Sequence, residues 1–329
     1  MKGVINNFII VWSVAITLFL YSYIIGKIVP NGRGRLVALF PPTLILLLLP
    51  IWQTDAHLII YSTFCLSWLS TFKLLLFAFA KGPLSSNPPP SLFQFLLISS
   101  LPIKFQYKNQ NQIKFKLTSL NKLELLVMSI LLYFFVLPYE KKEGFRPLIL
   151  TFIYFVHFYF GLELTFAIST TIARKILQLD LEKPFDRPYL SASPKEFWGK
   201  RWNVMASRIL HPSVYKPMVN AFSHVIGRKW ASIPAVVVTF IVSGLMHELI
   251  YYNLKRKNVT WKAWEPCWDS MSYFFIHGVF VALQIAYKKT FKPKQQLMPT
   301  IVSRTLTLAF VMTTTLTLFI PAFMRSVGR

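Results

Sequence analysis

The sequence has few of the residues and motifs on which several enzyme classes depend. Its 329 residues include two cysteines, Cys65 and Cys267, too few for a disulfide framework or a cysteine-based metal site. It has no Gly-Lys-Ser/Thr phosphate loop and no Gly-x-Ser-x-Gly nucleophile elbow. None of its six histidines has a second histidine four residues away, the spacing of zinc proteases, or an aspartate four or five residues downstream, the spacing of another class of acyltransferases. We therefore expect no metal ion and no tightly bound cofactor.

Acidic residues are also scarce, because 12 aspartates and glutamates stand against 36 lysines and arginines, a formal net charge of +24. In a soluble protein this excess would indicate nucleic-acid binding. Here 54% of the residues are hydrophobic, and many of the basic residues lie between long apolar runs, as the positive-inside rule describes for membrane proteins. The sequence therefore predicts an all-α integral membrane protein, a polytopic helical bundle, whose partner is membrane lipid and not nucleic acid.

Apolar runs near the roughly 20 residues that a spanning helix needs recur along the chain. By this length criterion we count about eight membrane-spanning runs. They cover residues 4–25, 36–51, 58–80, 123–137, 148–173, 233–254, 271–287 and 301–323. A ninth run, 92–103, is too short to cross and is expected to lie at the interface or to re-enter the membrane. We expect one membrane-embedded domain over residues 1–329.

The basic connections between these runs predict which side of the protein is cytosolic. One of them contains Lys27, Arg33 and Arg35. The others on the same side are 81–122, 174–231 and 288–294. On the opposite side, the connection 255–269 begins Lys-Arg-Lys and fits this orientation poorly. The cytosolic or interfacial segment 174–231 is rich in Trp, Arg, Lys, Pro and His, and we expect a charged, soluble substrate to be met there.

A helix start is recognisable inside this segment. Ser193 is suited to the N-cap, Pro194 to the first helical position and Glu196 to the third, which approximates a capping box. The pattern predicts an interfacial amphipathic helix from Ser193 to about Ser207. Taken alone, its aromatic side chains are typical of an interfacial anchor.

The run 233–252 contains His247 and Glu248 side by side at membrane depth, where ionisable groups are costly and usually functional. Ser243 and Tyr251 lie one turn either side of His247, so the three form a polar stripe on one helix face. Two interpretations are open: His247 lines an interior chamber, or it is a structural histidine hydrogen-bonded to a neighbouring helix. Glu248 points about 100° away, and we expect it to pair with a basic residue on another helix.

Four motifs occur in one order along the second half of the chain. They are Arg-Pro-Tyr-Leu-Ser-Ala-Ser at 187–193, Phe-Trp-Gly-Lys-Arg-Trp-Asn at 197–203, His-Pro-Ser-Val-Tyr-Lys-Pro at 211–217 and Ser-Gly-Leu-Met-His-Glu at 243–248. In these motifs, in length and in number of spans the sequence resembles the plant wax synthases of the jojoba type, which belong to the membrane-bound O-acyltransferase superfamily. A branch of plant acyl-CoA:sterol acyltransferases shares the motifs, which do not separate the two groups.

The resemblance implies a multi-pass enzyme of the endoplasmic reticulum membrane that transfers a fatty acyl group from acyl-CoA to a long-chain alcohol, or to a sterol. It implies His247 as the catalytic base and Asn203 as the second catalytic residue. Neutral imidazole, with a reference pKa of about 6.5, is suited to taking the proton of an attacking alcohol. A carboxamide can donate to the developing oxyanion or position the acyl chain. The other residues expected to contact substrate are Trp198, Arg201, Trp202, Arg187, Ser243 and Tyr251.

The basic residues of the motif region have two interpretations. Arg187, Lys200 and Arg201 either contact the phosphates of CoA or meet lipid head groups at the membrane surface.

Two other functions are open at this point. A proton-coupled transporter would use His247 and Glu248, with His157 and Glu163 of the fifth apolar run, as a relay. It would predict internal repeats with broken helices in matching positions, and none is visible in the sequence. The second alternative is an inactive, lipid-binding relative of the acyltransferases.

Overall fold

A computed structural model describes residues 2–102, 122–136, 146, 149–157, 159–164, 185–256, 265–291 and 298–327, and these contain helices and turns but no β-strand. Contacts between residues group the chain into two compact units. The first unit comprises Met1–Pro102, Met205–Gln295 and Phe323–Arg329, and the second comprises Ile103–Val204 and Gln296–Ala322. The single domain expected from the sequence stays a prediction.

The helices follow the apolar runs of the sequence. In chain order they are α1 (Lys2–Ile28), α2 (Arg33–Leu48), α3 (Ala56–Ala78), α4 (Leu92–Ser100), α5 (Lys122–Val136), α6 (Ile149–Leu164), α7 (Pro194–Glu196), α8 (Val204–Leu210), α9 (Lys216–Trp230), α10 (Ser232–Arg256), α11 (Trp268–Phe291) and α12 (Thr300–Val327). A 3-10 turn, Leu49–Trp52, extends α2. Wider π-type turns lie within α3 and α12, after α7 and between α8 and α9.

Six of these helices in the described part of the chain are long and apolar enough to cross a membrane: α1, α2 with its extension, α3, α10, α11 and α12. The all-α, multi-pass fold is thereby confirmed. The two remaining predicted spans coincide with α5, of 15 residues, and with α6, and parts of both lie outside the described residues. Helix α4 has nine residues, which confirms that the run 92–103 is too short to cross.

Arg35, predicted to lie in a cytosolic basic connection, is buried within the protein at the start of α2, and the side of the membrane on which it lies stays a prediction. Its side chain is 7% exposed. The guanidinium donates to the carbonyl oxygens of Val29 at 2.6 and 2.9 Å, of Gly26 at 2.9 Å and of Phe77 at 3.4 Å. The last carbonyls of a helix have no partner within it, and Arg35 satisfies them at the end of α1 while it also lies over the Phe77 ring.

A second buried basic side chain fixes the short helix α4 to α3. Lys73 is 1% exposed, and its Nζ donates to the carbonyl oxygens of Ile98 at 2.5 Å and of Leu101 at 2.6 Å. The Ser70 hydroxyl donates to the Ser99 carbonyl at 2.7 Å. The end of α4 therefore finds its hydrogen-bond partners on a spanning helix, which allows a helix too short to cross to be held by protein.

Helices α10 and α11 approach closely where each carries a glycine. A Cβ added to Gly244 would lie 3.0 Å from Met271 Sδ and 3.3 Å from Phe274 Cβ. A Cβ added to Gly278 would lie 2.9 Å from the Cβ of Phe240. Small residues are the usual means by which membrane helices pack closely. This packing brings the ring of Phe274 against α10.

The predicted amphipathic helix after Ser193 starts where expected but is not continuous. The Ser193 hydroxyl accepts from the Glu196 N–H at 3.2 Å, as an N-cap does. Helical structure then ends at Arg201 and restarts at Val204. Between them Asn203 has a φ of 40°, a left-handed conformation that asparagine tolerates better than most residues. The continuous helix to Ser207 was therefore a wrong prediction.

Candidate active site

His247 lies within α10, and its ring is next to two aromatic rings. Its ring centroid is 4.4 Å from that of Phe274 and 5.4 Å from that of Trp68. Its Nδ1 lies 2.8 Å from the carbonyl oxygen of Ser243. A carbonyl oxygen only accepts, so Nδ1 carries the hydrogen and donates it. In the neutral ring Nε2 is then the nitrogen with the lone pair, the form that a general base needs.

Trp68 and Phe274 were not identified from the sequence. Trp68 is 3% exposed and packs with Ala206, Leu210 and Val214. Partly buried side chains of α3, α9 and α10 complete this cluster: Phe64, Phe72, Met218, Val238, Val242 and Met246. An aromatic residue in an apolar run carries no local signal that it will lie against a histidine, and only the packing of helices reveals the contact.

Glu248 faces away from His247, as its position on the helix predicts, but its partner is not the expected basic residue. Its side chain is 3% exposed, and Oε2 accepts from the Cys267 N–H at 2.8 Å. Cys267 directly precedes α11. The first N–H groups of a helix lack partners within it, and a carboxylate there also interacts favourably with the helix dipole. The expected pairing with a basic side chain is corrected to this backbone contact.

We expect Glu248→Ala to destabilise the protein, because it leaves the buried Cys267 N–H without its acceptor. Such a loss costs about 1–3 kcal/mol. Glu248→Gln keeps an oxygen in the same place and should lose clearly less. The measurement is the thermal unfolding midpoint of each purified variant in detergent. Equal midpoints for Glu248→Gln and Glu248→Ala would contradict the contact as the cause.

The remaining polar residues of α10 flank His247 as predicted. Ser243 is half-buried and contributes its backbone carbonyl to the imidazole. Tyr251, one turn further on, is 2% exposed. The polar stripe of the sequence therefore faces protein along this part of the helix. That Ser243 and Tyr251 contact substrate stays a prediction.

The motif at 197–203 belongs to the second unit, where Arg201 is held by contacts within the protein. Its Nε and Nη2 each lie 2.8 Å from Glu196 Oε1, and its Nη1 donates to the Asp186 carbonyl at 3.2 Å. In return the Arg201 carbonyl accepts from the Asp186 N–H at 2.9 Å. These bonds join the two ends of residues 186–201 into one polar clamp.

Glu196 is the acidic member of this clamp. Partial burial raises the pKa of its carboxyl, but the hydrogen bond from the Ala192 N–H and the guanidinium of Arg201 outweigh burial and place the pKa below its ordinary value. Because a lowered pKa means that the folded protein favours the carboxylate, the pair is ionised at neutral pH. Its stabilising effect is lost only as the pH falls through that lowered pKa.

Aromatic rings pack against the clamp around Trp202. The Trp202 ring stacks on Phe197 at 5.4 Å and 14° and on Tyr159 of α6 at 5.8 Å and 21°. Phe185 and Trp198 meet it edge-on at 5.1 and 6.5 Å. Trp202 is therefore the centre of an aromatic stack, and Trp198 lies at its edge.

Two predicted site residues have left-handed backbones. Asn203 has a φ of 40° and Arg187 a φ of 44°. For arginine this conformation is rare, and such strain tends to occur where function fixes the backbone. The side chains of Arg187 and Lys200 are exposed. Among the predicted basic contacts these two, and not Arg201, are the ones presented to solvent.

The predicted site residues are divided between the units. Ser243, His247 and Tyr251 belong to the first unit, and Arg187, Trp198, Arg201, Trp202 and Asn203 to the second. His157 and Glu163 also belong to the second unit, so the proposed relay is divided too. Within the described residues, no three His, Cys, Asp or Glu side chains gather as a metal site, and the absence of a metal or cofactor stays a prediction.

Comparison with known proteins gives consistent matches. A family model described as membrane bound O-acyl transferase family matches residues 181–277. Acyl-CoA--sterol O-acyltransferase 1 of Arabidopsis thaliana is 38% identical over 322 residues, 97% of this chain and 91% of that protein. Long-chain-alcohol O-fatty-acyltransferase of Simmondsia chinensis is 37% identical over 330 residues, 98% of this chain and 90% of that protein. Putative long-chain-alcohol O-fatty-acyltransferase 10 of Arabidopsis thaliana is 36% identical over 329 residues, 99% of this chain and 92% of that protein.

Proposed function

Since the chain belongs to the plant long-chain-alcohol O-fatty-acyltransferases, the wax synthases of the membrane-bound O-acyltransferase family, we propose that it joins a fatty acyl group to a long-chain alcohol. The product is a wax ester, and acyl-CoA is the acyl donor. Both lipid substrates partition into a bilayer, which accounts for a reaction centre on a multi-pass membrane protein. We place the protein in the endoplasmic reticulum membrane, where acyl-CoA and lipid alcohols meet.

The observation that carries this proposal is the state of His247. The Ser243 carbonyl fixes the ring through Nδ1, and Phe274 and Trp68 fix its plane. Nε2 of the neutral ring then takes the proton of the alcohol as its oxygen attacks the thioester carbonyl. The new ester C–O bond forms, the C–S bond breaks, and the imidazolium returns the proton to the departing CoA sulfur. The enzyme is unchanged, and ester and CoA are produced in equal amounts.

The CoA portion of the donor is charged and needs cationic partners. We assign this role to Arg187 and Lys200, whose side chains are exposed, because guanidinium and ammonium groups bind phosphate strongly. Arg201 supports them indirectly, since its guanidinium holds the clamp through Glu196 and Asp186. Lipid head groups compete for the same two side chains.

Asn203 is assigned as the second catalytic residue, and its unusual backbone makes a clean test possible. Asn203→Gly removes the carboxamide but tolerates the φ of 40°. We expect kcat to fall roughly a hundredfold, as for loss of one oxyanion donor. A fall in kcat at constant KM would indicate a role in the transition state, whereas a raised KM for acyl-CoA would indicate acyl positioning.

Asn203→Asp is the matched control for shape. It retains the size of the side chain but replaces the N–H donor with an acceptor, so it should be as inactive as Asn203→Gly if donation matters. Full activity in Asn203→Gly would show that this position serves only the backbone turn.

A sterol is the second candidate acceptor, favoured by the 38% identity to acyl-CoA--sterol O-acyltransferase 1. The test is a competition: membranes that contain the expressed protein receive labelled palmitoyl-CoA with a fatty alcohol and a sterol at equal concentration. Wax ester as the main labelled product supports the proposal. Sterol ester as the main product would replace the acceptor and leave the acyl-transfer chemistry intact.

A further inference from the structure

Trp68 carries a buried hydrogen-bond donor that has no partner among the residues that the structure describes. Its side chain is 3% exposed, and among the described residues Nε1 has no acceptor. Buried indole N–H groups usually find one. The chain provides one for Trp12, whose Nε1 donates to Ser62 Oγ at 3.2 Å. A buried donor left unsatisfied at Trp68 lowers the stability of the fold, and a functional role for the donor would explain why it is there.

The position of Trp68 supplies that reason. Its ring meets His247 edge-on, with centroids 5.4 Å apart and planes at 66°. Apolar side chains, among them Ala206, Leu210, Val214 and Phe64, pack against the ring and hold it in place. Trp68 lies in the middle of α3 and His247 well inside α10, so both are far from the ends of spanning helices. The donor is therefore rigid, poorly hydrated and adjacent to the group that acts as base.

Acyl transfer needs such a donor. As the alcohol attacks, negative charge develops on the carbonyl oxygen of the thioester, and fixed donors in a water-poor site stabilise it most effectively. An indole N–H is neutral, only donates and does not titrate. We propose that Nε1 of Trp68 donates to the acyl carbonyl oxygen in the transition state, a role that deepens and rests on the proposed acyltransferase function.

The test compares variants that separate the N–H group from the ring. Trp68→Phe keeps an aromatic ring against His247 and loses the donor. Replacement of Trp68 by 3-benzothienylalanine, which has sulfur in place of N–H, keeps the shape of the whole side chain. Rates are measured with purified protein, normalised to the folded fraction, at saturating acyl-CoA and varied alcohol. Trp268→Phe is the matched control, because Trp268 is 71% exposed on α11.

We expect both changes at Trp68 to lower kcat by roughly a hundredfold or more. KM for the alcohol should stay within about twofold, since the bond forms in the transition state. The pH at which activity is half-lost on the acid side should not move, because His247 keeps a ring neighbour. Trp268→Phe should retain the unmodified rate.

Two results would overturn the inference. Full activity of the benzothienylalanine protein would show that packing, and not the N–H group, matters at this position. A shifted acid limb with unchanged maximal rate would show that Trp68 acts only on His247. Ester formation by the unmodified protein is measured alongside, so that its absence would count against the proposed function itself and not against Trp68.

Discussion

Replacing His247 with alanine should lower kcat for ester formation by roughly a hundredfold to ten-thousandfold, the range that a general base contributes. Without the imidazole the attacking alcohol must lose its proton to water in an apolar site, and the leaving sulfur has no proton donor. The Ser243 carbonyl and the rings of Trp68 and Phe274 remain in place, so substrate binding should change little. The measurement is a steady-state rate with purified protein.

His224→Ala is the matched control for this variant. His224 is exposed on α9, so its loss removes a histidine of the same unit without touching the proposed site. Both proteins are compared at equal folded amounts. A His247→Ala rate within about threefold of the unmodified rate would contradict the assignment of the base.

Replacing Arg35 with methionine should lower the free energy of unfolding substantially, because the guanidinium is buried among backbone carbonyl groups. The variant leaves the carbonyl oxygens of Val29 and Gly26 without the guanidinium donor, whereas the Phe77 carbonyl keeps the Ala80 N–H at 3.2 Å. Each buried carbonyl oxygen left without a donor costs about 1–3 kcal/mol. The corresponding fall in the thermal midpoint is about 4 °C or more. The midpoint is measured on detergent-purified protein.

Arg33→Met is the control for Arg35→Met. Arg33 is exposed at the start of α2, and its substitution removes the same charge two residues away. It should leave the midpoint within about 2 °C. Equal effects of the two substitutions would show that Arg35 contributes only its charge to the surface and would contradict its role at the end of α1.

Much of the fold could be predicted because apolar runs of spanning length leave few alternatives. A bilayer permits only helices and closed barrels, and runs of this length are helices. Arg35 and Lys73 show what such reasoning misses. Both donate hydrogen bonds to backbone carbonyl oxygens. Arg35 donates to carbonyls at the end of α1 and to that of Phe77, and Lys73 donates to carbonyls at the end of α4. Neither pairing can be recognised before the helices are in place, so basic residues near apolar runs read as surface charge.

The candidate site was predictable to the extent that single residues were conspicuous. His247 stood out because an ionisable group inside an apolar run is energetically costly and is usually functional. Asn203 came from the resemblance alone, and its left-handed backbone lies in the break between the helical segments that end at Arg201 and begin at Val204. The direction of Glu248 followed from helix geometry, but its partner, the N–H of Cys267, depended on where α11 begins. Trp68 required the packing of α3 against α10.

The most direct test of the proposed function is the stoichiometry of the reaction catalysed by purified protein. The protein is reconstituted in lipid, supplied with labelled palmitoyl-CoA and a long-chain alcohol, and the ester and the free CoA thiol are quantified together. The proposal predicts equal amounts of wax ester and CoA, both dependent on the alcohol. No ester from folded protein with any alcohol or sterol, or CoA released with free fatty acid in the absence of alcohol, would contradict it.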